Sequence, residues 1–185
     1  MSRMLKIFVM AVMCSGLAGA AHAQDTMTIQ GSGSGAFEVP GVATGGVGVA
    51  SCTLTRSSLQ FDCTARVHNI VDLTAAHVHV GGPGASGPTV IDIPNVPLRI
   101  SDDFTLTWTW TERDLVGGTL GRLRPLQGIN KMADLFEACS SGNCYLNFHT
   151  TANPGGELRI QLCPTTEGRA GNPFFSINVC APNKP

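Results

Sequence analysis

The chain is poor in charged and aromatic side chains. Only 14% of its 185 residues are charged, and 12 basic against 13 acidic residues leave a formal net charge of −1. We see no basic patch and no basic amphipathic helix, so nucleic acid and anionic membranes are not expected partners. After the first 23 residues, no apolar run approaches the roughly 20 residues that a membrane-spanning helix needs. The sequence therefore predicts a soluble product without a membrane span.

The beginning of the chain has the pattern of a secretory signal peptide. Two basic residues precede an apolar run from Ile7 to about Leu17, and Ala21-His22-Ala23 fits the small-x-small rule for cleavage. A lipoprotein interpretation around Cys14 is weaker, because Met13 stands where a small residue is expected. We expect a signal peptide at 1–23 and one domain at 24–185, periplasmic or secreted.

Alternating apolar and polar residues predict an all-β fold. About eight short strands, separated by glycine and proline turns, indicate a Greek-key β-sandwich or barrel. Residues 59–67 and 104–110 alternate most clearly. Asn130 to Ala138 has helical spacing and predicts one short helix. Residues 114–128 are interpreted as an irregular insertion.

Six cysteines follow the predicted cleavage site, and an even number in an exported chain favours disulfides over thiolate metal ligands. A hairpin centred on Ser57-Ser58 places Cys52 opposite Cys63, close to disulfide reach. A second bridge is plausible across the short loop between the predicted helix and the next strand. By elimination the third bridge ties a predicted C-terminal strand, 174–179, to the strand at 157–162. The second and third pairs are Cys139 with Cys144 and Cys163 with Cys180.

His77 and His79 form the most suggestive chemical pattern. Side chains alternate along a strand, so these two imidazoles lie on one face about 6 to 7 Å apart. His149 ends another predicted strand and could supply a third ligand. Three imidazoles suit copper or zinc and leave a position for water or a small ligand. The alternative is that the three histidines are buried hydrogen-bonding residues of the fold.

Four stretches together resemble the CHRD domain, named after chordin. Their order and spacing match across roughly Met27 to Leu162, and the animal members imply a non-catalytic extracellular interaction module as one possible function. The sequence departs from the family pattern in the insertion around 117–128 and in its cysteines with their C-terminal extension. The four stretches are Phe37-Glu38-Val39-Pro40, Thr74 to Gly81, Ala133 to Phe136 and Tyr145 to Arg159.

The histidines are also similar to the copper ligands of copper/zinc superoxide dismutase. In that comparison His77 and His79 look like the paired ligands and His149 like the third. The turn before Arg159 is similar to the loop whose arginine attracts the superoxide anion. No histidine stands between His79 and His149, so the bridging imidazole and the zinc ligand set cannot be assembled. This resemblance implies a mononuclear site, with copper favoured over zinc.

Several other residues are candidates for a supporting role. Asn147 shares a face with His149, and Glu157 could be a fourth ligand, a hydrogen-bonding partner of a ligand, or a loop carboxylate paired with an arginine. Glu38 and His68 are weaker candidates, and His68 has the alternative of simple exposure. Arg159 could guide an anion or stabilise its turn.

The sequence supports three functional hypotheses. The first is an exported copper-binding protein that serves copper handling in the periplasm, and binding is favoured over catalysis. The second is a copper-dependent enzyme resembling superoxide dismutase, and the third is the interaction module. No serine stands in a glycine-flanked strand-to-helix elbow, so a hydrolase is not expected. The sequence identifies no protein partner.

Overall fold

The computed structural model describes residues 25–97, 102–112, 129–165 and 180. The predicted signal peptide, the whole of the predicted insertion at 114–128 and the predicted strand at 174–179 lie outside these residues. The described chain forms eight strands, one α-helix and a 3-10 turn at Gly35–Phe37. The elements are β1 (Thr26–Ser34), β2 (Val47–Thr55), β3 (Gln60–Ile70), β4 (Leu73–Val80), β5 (Thr89–Asp92), β6 (Asp102–Trp110), α1 (Met132–Ser140), β7 (Cys144–Thr150) and β8 (Leu158–Pro164).

All eight strands belong to one antiparallel sheet that curls into a half-barrel. Its strand order is β5-β4-β7-β8-β1-β2-β3-β6. One face of the sheet packs on an apolar core to which every strand contributes. The predicted all-β class with one short helix is therefore confirmed, and the strands that carry the three histidines, β4 and β7, are direct neighbours.

The β2–β3 hairpin follows from simple alternation. Buried and exposed residues alternate along β2, because one face meets the core and the other meets water. Cys52 is paired with Cys63 in the register that the sequence predicts. The predicted strand started at Leu59, but Leu59 has a φ of 49° and belongs to the turn, so β3 begins at Gln60.

Strands β4, β7 and β8 differ from the hairpin because they are covered on both faces. All seven residues of β7 are buried. One face carries apolar side chains such as Val78, Leu146 and Ile160. The opposite face carries polar ones, and two segments lie over it: the loop Gly81–Pro88, which we call the glycine loop, and the segment Gly35–Gly41. Hydrogen bonds from β8 to the glycine loop hold this cover in place.

Helix α1 begins and ends two residues later than the predicted span of 130–138. The carboxylate of Asp134 accepts hydrogen bonds from the main-chain N–H groups of Asn130 and Lys131 at 2.8 and 3.1 Å. These two residues therefore precede the helix instead of forming its first turn. The helix buries Met132, Leu135 and Phe136 against the sheet.

Three cysteine pairs lie at disulfide distance, and they are the three pairs expected from the sequence. They are Cys52–Cys63, Cys139–Cys144 and Cys163–Cys180. Such pairs fit an oxidising compartment. Among the described residues, no helix combines the length and the apolar character needed to cross a bilayer.

Candidate metal centre

Strands β4 and β7 bring the three predicted histidines together. Ala75 of β4 is paired with His149, and His77 is paired with Asn147, so all three histidines project from the same face. One ring nitrogen from each lies within 4.8 Å of the others. His79 and His149 are buried, whereas the His77 side chain is 24% exposed. The cluster is thus buried at His79 and His149 and reaches solvent beside His77.

In two of these rings, those of His79 and His149, the Nδ1 atom donates a hydrogen bond to a main-chain carbonyl. Nδ1 of His79 lies 2.8 Å from the Gly87 oxygen, and Nδ1 of His149 lies 3.0 Å from the Pro154 oxygen. A carbonyl oxygen only accepts, so both rings carry their proton on Nδ1. The Nε2 atoms of His79 and His149 therefore carry the lone pairs that metal coordination requires, and that of His79 accepts a long 3.4 Å hydrogen bond from the Thr89 hydroxyl.

His77 completes the cluster in a different way. Its Nδ1 lies 2.9 Å from Nε2 of His149, and its Nε2 lies 3.5 Å from the Asp92 carboxylate. Because Nε2 of His149 carries a lone pair, Nδ1 of His77 donates to it in the metal-free protein. A metal ion would replace this shared proton, and His77 would then carry its proton on Nε2, facing Asp92. Binding therefore needs a tautomer change at one ring only.

Burial keeps the two inner histidines neutral near pH 7. It lowers the pKa of His79 to about 4, against the opposing hydrogen bond to Gly87, and electrostatic effects of His149, His77 and Arg159 lower it further. Burial also lowers the pKa of His149, although its bond to Pro154 opposes the shift. Metal ions bind neutral imidazole, so the protein holds these two rings in the required protonation state.

The donor set fits a borderline metal ion such as Cu(II) or Zn(II). Metal–nitrogen bonds of about 2.0–2.1 Å place ligand nitrogens at most about 4.2 Å apart, so a nitrogen cluster within 4.8 Å needs only a small closing movement. The six cysteines after residue 23 are paired with one another, which leaves no thiolate among them. Imidazole nitrogens are thus the ligands that this cluster offers to a metal ion.

Glu157 is directed to its own turn instead of to the histidine cluster. Its carboxylate accepts hydrogen bonds from Thr44 at 2.6 Å, from Asn153 at 3.0 Å, and from the hydroxyl of Thr150. Burial by itself raises the pKa of Glu157, but the three hydrogen bonds outweigh it and the pKa lies below its usual value. Its described partners are hydroxyl and amide groups, so neither a ligand role nor pairing with an arginine is supported.

Glu38 and Asn147 lie together on the covered face. The Asn147 amide is 3% exposed and donates a long 3.5 Å bond to the Glu38 carboxylate. One oxygen of each side chain is buried without a hydrogen-bond partner among the described residues. Burial raises the pKa of Glu38 to about 7, against the opposing effects of Arg159 and Asn147. Asn147 is the cross-strand neighbour of His77, but its amide donates to Glu38, so a role in supporting a histidine ligand stays a prediction.

Arg159 is not available to guide an anion, because only 1% of it is exposed. Its guanidinium donates to the carbonyls of Gly82 and Ala85 at 2.8 and 2.9 Å and stacks over the Tyr145 ring at 3.6 Å. The alternative expectation, a structural role, matches these contacts, although the segment that it holds is the glycine loop. His68 lies on β3, half-exposed, 2.8 Å from Asp103, and is not part of the histidine cluster.

The sequence did not single out four contacts that shape the centre. They involve Asp92, Tyr145 and the main-chain oxygens of Gly87 and Pro154. Tyr145 carried the only available signal, since it is the one tyrosine of the chain and stands two residues before Asn147. The two carbonyls carry no side-chain signal, because any residue supplies a main-chain oxygen.

Comparison with known proteins identifies one family. The family model of the CHRD domain matches residues 29–162, which includes all three histidines and all strands except the first residues of β1 and the last residues of β8. No curated protein and no solved structure matches the chain. The likeness to copper/zinc superoxide dismutase stays a prediction.

Proposed function

The chain belongs to the CHRD domain family, and from this starting point we propose that it is an exported protein that binds one copper ion. The ligands are Nδ1 of His77 and Nε2 of His79 and His149. One observation carries the proposal: one ring nitrogen from each of the three histidines lies within 4.8 Å of the others, while Nδ1 of His79 and Nδ1 of His149 are already bonded to main-chain oxygens.

Copper is favoured over zinc on chemical grounds. Affinity for a given nitrogen site rises from the earlier divalent metals to Cu(II) and falls again at Zn(II). A three-imidazole set without thiolate or carboxylate does not offset that order in favour of zinc. The partly exposed His77 leaves an open position to the solvent side, which suits acquisition and release of an ion.

Export accounts for the other features of the chain. The signal-like pattern at 1–23 and the three disulfide pairs agree with a periplasmic or secreted protein. In that compartment a single-site copper protein would serve copper handling or tolerance.

Metal titration of the exported protein tests the proposal directly. After removal of metal with a chelator, we expect about one equivalent of Cu(II) to bind, with Zn(II) binding more weakly. His77→Ala, His79→Ala and His149→Ala each remove one of three ligands and should weaken binding at least 100-fold. Competition against a chelator of known affinity measures the change.

His68→Ala is the matched control, because His68 is also a strand histidine near a carboxylate but lies outside the cluster. It should bind copper like the parent. The proposal is wrong if His149→Ala still binds one equivalent with unchanged affinity. Metal analysis of protein purified from its native compartment identifies the ion that is carried there.

One observation favours the interaction-module alternative. In the metal-free protein the 2.9 Å bond between His77 and His149 already satisfies both rings, as expected of purely structural histidines. Under that alternative His149→Ala would lower the free energy of unfolding and no metal would bind stoichiometrically to the parent.

A further inference from the structure

A stack of three side chains leads from β8 to the metal centre. The guanidinium of Arg159 lies 3.6 Å above the centroid of the Tyr145 ring. The Tyr145 ring is also stacked nearly parallel to the His79 ring, with centroids 4.9 Å apart and planes at 17°. All three residues come from adjacent strands, and Tyr145 is the direct cross-strand partner of His79.

The Tyr145 hydroxyl binds the same main-chain group that orients His79. It accepts a hydrogen bond from the Gly87 N–H at 3.0 Å and donates to the Gly87 oxygen at 3.3 Å. That oxygen also accepts from Nδ1 of His79 at 2.8 Å. A side chain at position 87 would collide with the carbonyl of Val80, so the loop can pass this close only with glycine there.

The rest of the glycine loop is held by side chains of β8. Arg159 donates to the carbonyls of Gly82 and Ala85, and Gln161 donates to the carbonyl of Gly81 at 3.0 Å. The main chain adds a bond from Gly81 to Asn143. The Gly87 carbonyl therefore stands at the end of a loop that is fixed at several points.

We infer that Tyr145 is a positioning residue of the metal centre: its hydroxyl holds the Gly87 carbonyl against Nδ1 of His79 and so directs Nε2 of that ring to the metal. The inference rests on the proposed function for its effect on metal affinity. Its effect on the tautomer of His79 concerns the metal-free protein alone. Contacts of this kind around a ligating histidine typically change metal affinity 10- to 100-fold when they are removed.

Tyr145→Phe is the decisive variant, because it keeps the stacked ring and removes only the hydroxyl. In the metal-free parent, long-range proton–nitrogen NMR should find His79 with its proton on Nδ1. In the variant we expect a mixture of the two tautomers, together with Zn(II) binding weakened about 10- to 100-fold. Zn(II) is the probe because it is diamagnetic and inert to redox chemistry.

Ser86→Ala is the matched control. It also removes one hydroxyl next to Gly87, but this exposed hydroxyl of the glycine loop contacts the Val39 carbonyl and not Gly87. Its tautomer and its affinity should equal those of the parent. A shared loss of thermal stability in both variants would not imitate the tautomer change.

The outcomes separate this inference from the proposed function. An unchanged His79 tautomer in Tyr145→Phe overturns the inference, even where the parent binds metal normally. A changed tautomer in a protein that binds no metal supports the positioning by Tyr145 and contradicts the metal function. An unchanged Zn(II) affinity beside a changed tautomer overturns the claim that this positioning serves the metal.

Discussion

The two halves of the sheet differ in what lies against the face opposite the apolar core. In β2 and β3 that face meets water, and it carries hydroxyl and charged side chains such as Thr53, Thr64 and Arg66. In β4, β7 and β8 the corresponding face is also polar, yet it is buried beneath two loops. The same alternation along the chain thus produces a solvated surface in one half and a closed polar layer in the other.

The difference shows what burial adds to polar side chains. An exposed histidine or arginine exchanges its partners with water, so its contacts contribute little to stability. A buried one must find fixed partners, because an unpaired buried polar group is costly. His68 of the open half faces solvent and one carboxylate, whereas His79 of the covered half is fixed by Gly87 and Tyr145. Burial beneath the two loops is therefore what fixes these polar side chains in one defined arrangement.

The largest expected effect is at Arg159 in the covered half, and Arg66 in the open half provides the comparison. Arg159→Met removes three hydrogen bonds from a buried cation and leaves two loop carbonyls without that donor, so unfolding should become easier by about 3 kcal/mol or more. Arg66→Met, in the open half, should change the free energy of unfolding by less than about 0.5 kcal/mol. Urea unfolding at pH 7 measures both. Equal losses would contradict the contrast between the halves.

A smaller effect is expected from two neighbouring glycines of the turn before β8. Gly156 has a φ of +129°, and a Cβ there would lie 2.6 Å from the Asn147 amide. Gly156→Ala should cost about 2–3 kcal/mol through backbone strain and displacement of that amide. Gly155→Ala meets open space and should cost less than about 0.5 kcal/mol. Thermal unfolding of the two variants gives the comparison, and similar midpoints would show that the cover is loosely packed.

The smallest expected effect is a pH dependence in the covered half. The pKa of Glu38 is about 7 in the folded protein and 4.5 ordinarily, so between these values the folded state binds more protons than the unfolded state. Stability from this group is present below pH 4.5 and is lost as the pH rises through 7. Glu38→Gln removes this pH-dependent loss. The free energy of unfolding of the variant should therefore exceed that of the parent by about 1 kcal/mol at pH 8, after allowance for partial exposure.

Unfolding of Glu38→Gln and the parent at pH 5 and pH 8 measures this difference. His79 acts in the opposite direction in both proteins, because its lowered pKa removes stability as the pH falls from 6.5 towards 4. Its contribution therefore cancels in the comparison. A difference between variant and parent that stays constant from pH 5 to 8 would contradict the raised pKa of Glu38.

Much of the fold could be predicted from local pattern. The alternation of β3 predicted its buried face, and the hairpin centre predicted the pairing of Cys52 with Cys63. The helix was predicted with its ends shifted by two residues, because the cap depends on how one aspartate side chain turns back to the main chain. The choice of a curled single sheet depends on strand order, and strand order is not a local property.

The candidate site divides in the same way. Alternation by itself put His77 and His79 on one face, because successive residues of any strand point to opposite sides. Only the tertiary structure brought His149, 72 positions away, to within 2.9 Å of His77, and laid the glycine loop over the face so that Gly87 orients His79. The tertiary structure also decided that Glu157 accepts hydrogen bonds from Thr44, Thr150 and Asn153, and that Arg159 donates to the glycine loop. Which loop covers a sheet face depends on contacts between distant parts of the chain and on main-chain carbonyls, and neither leaves a mark on the neighbouring sequence.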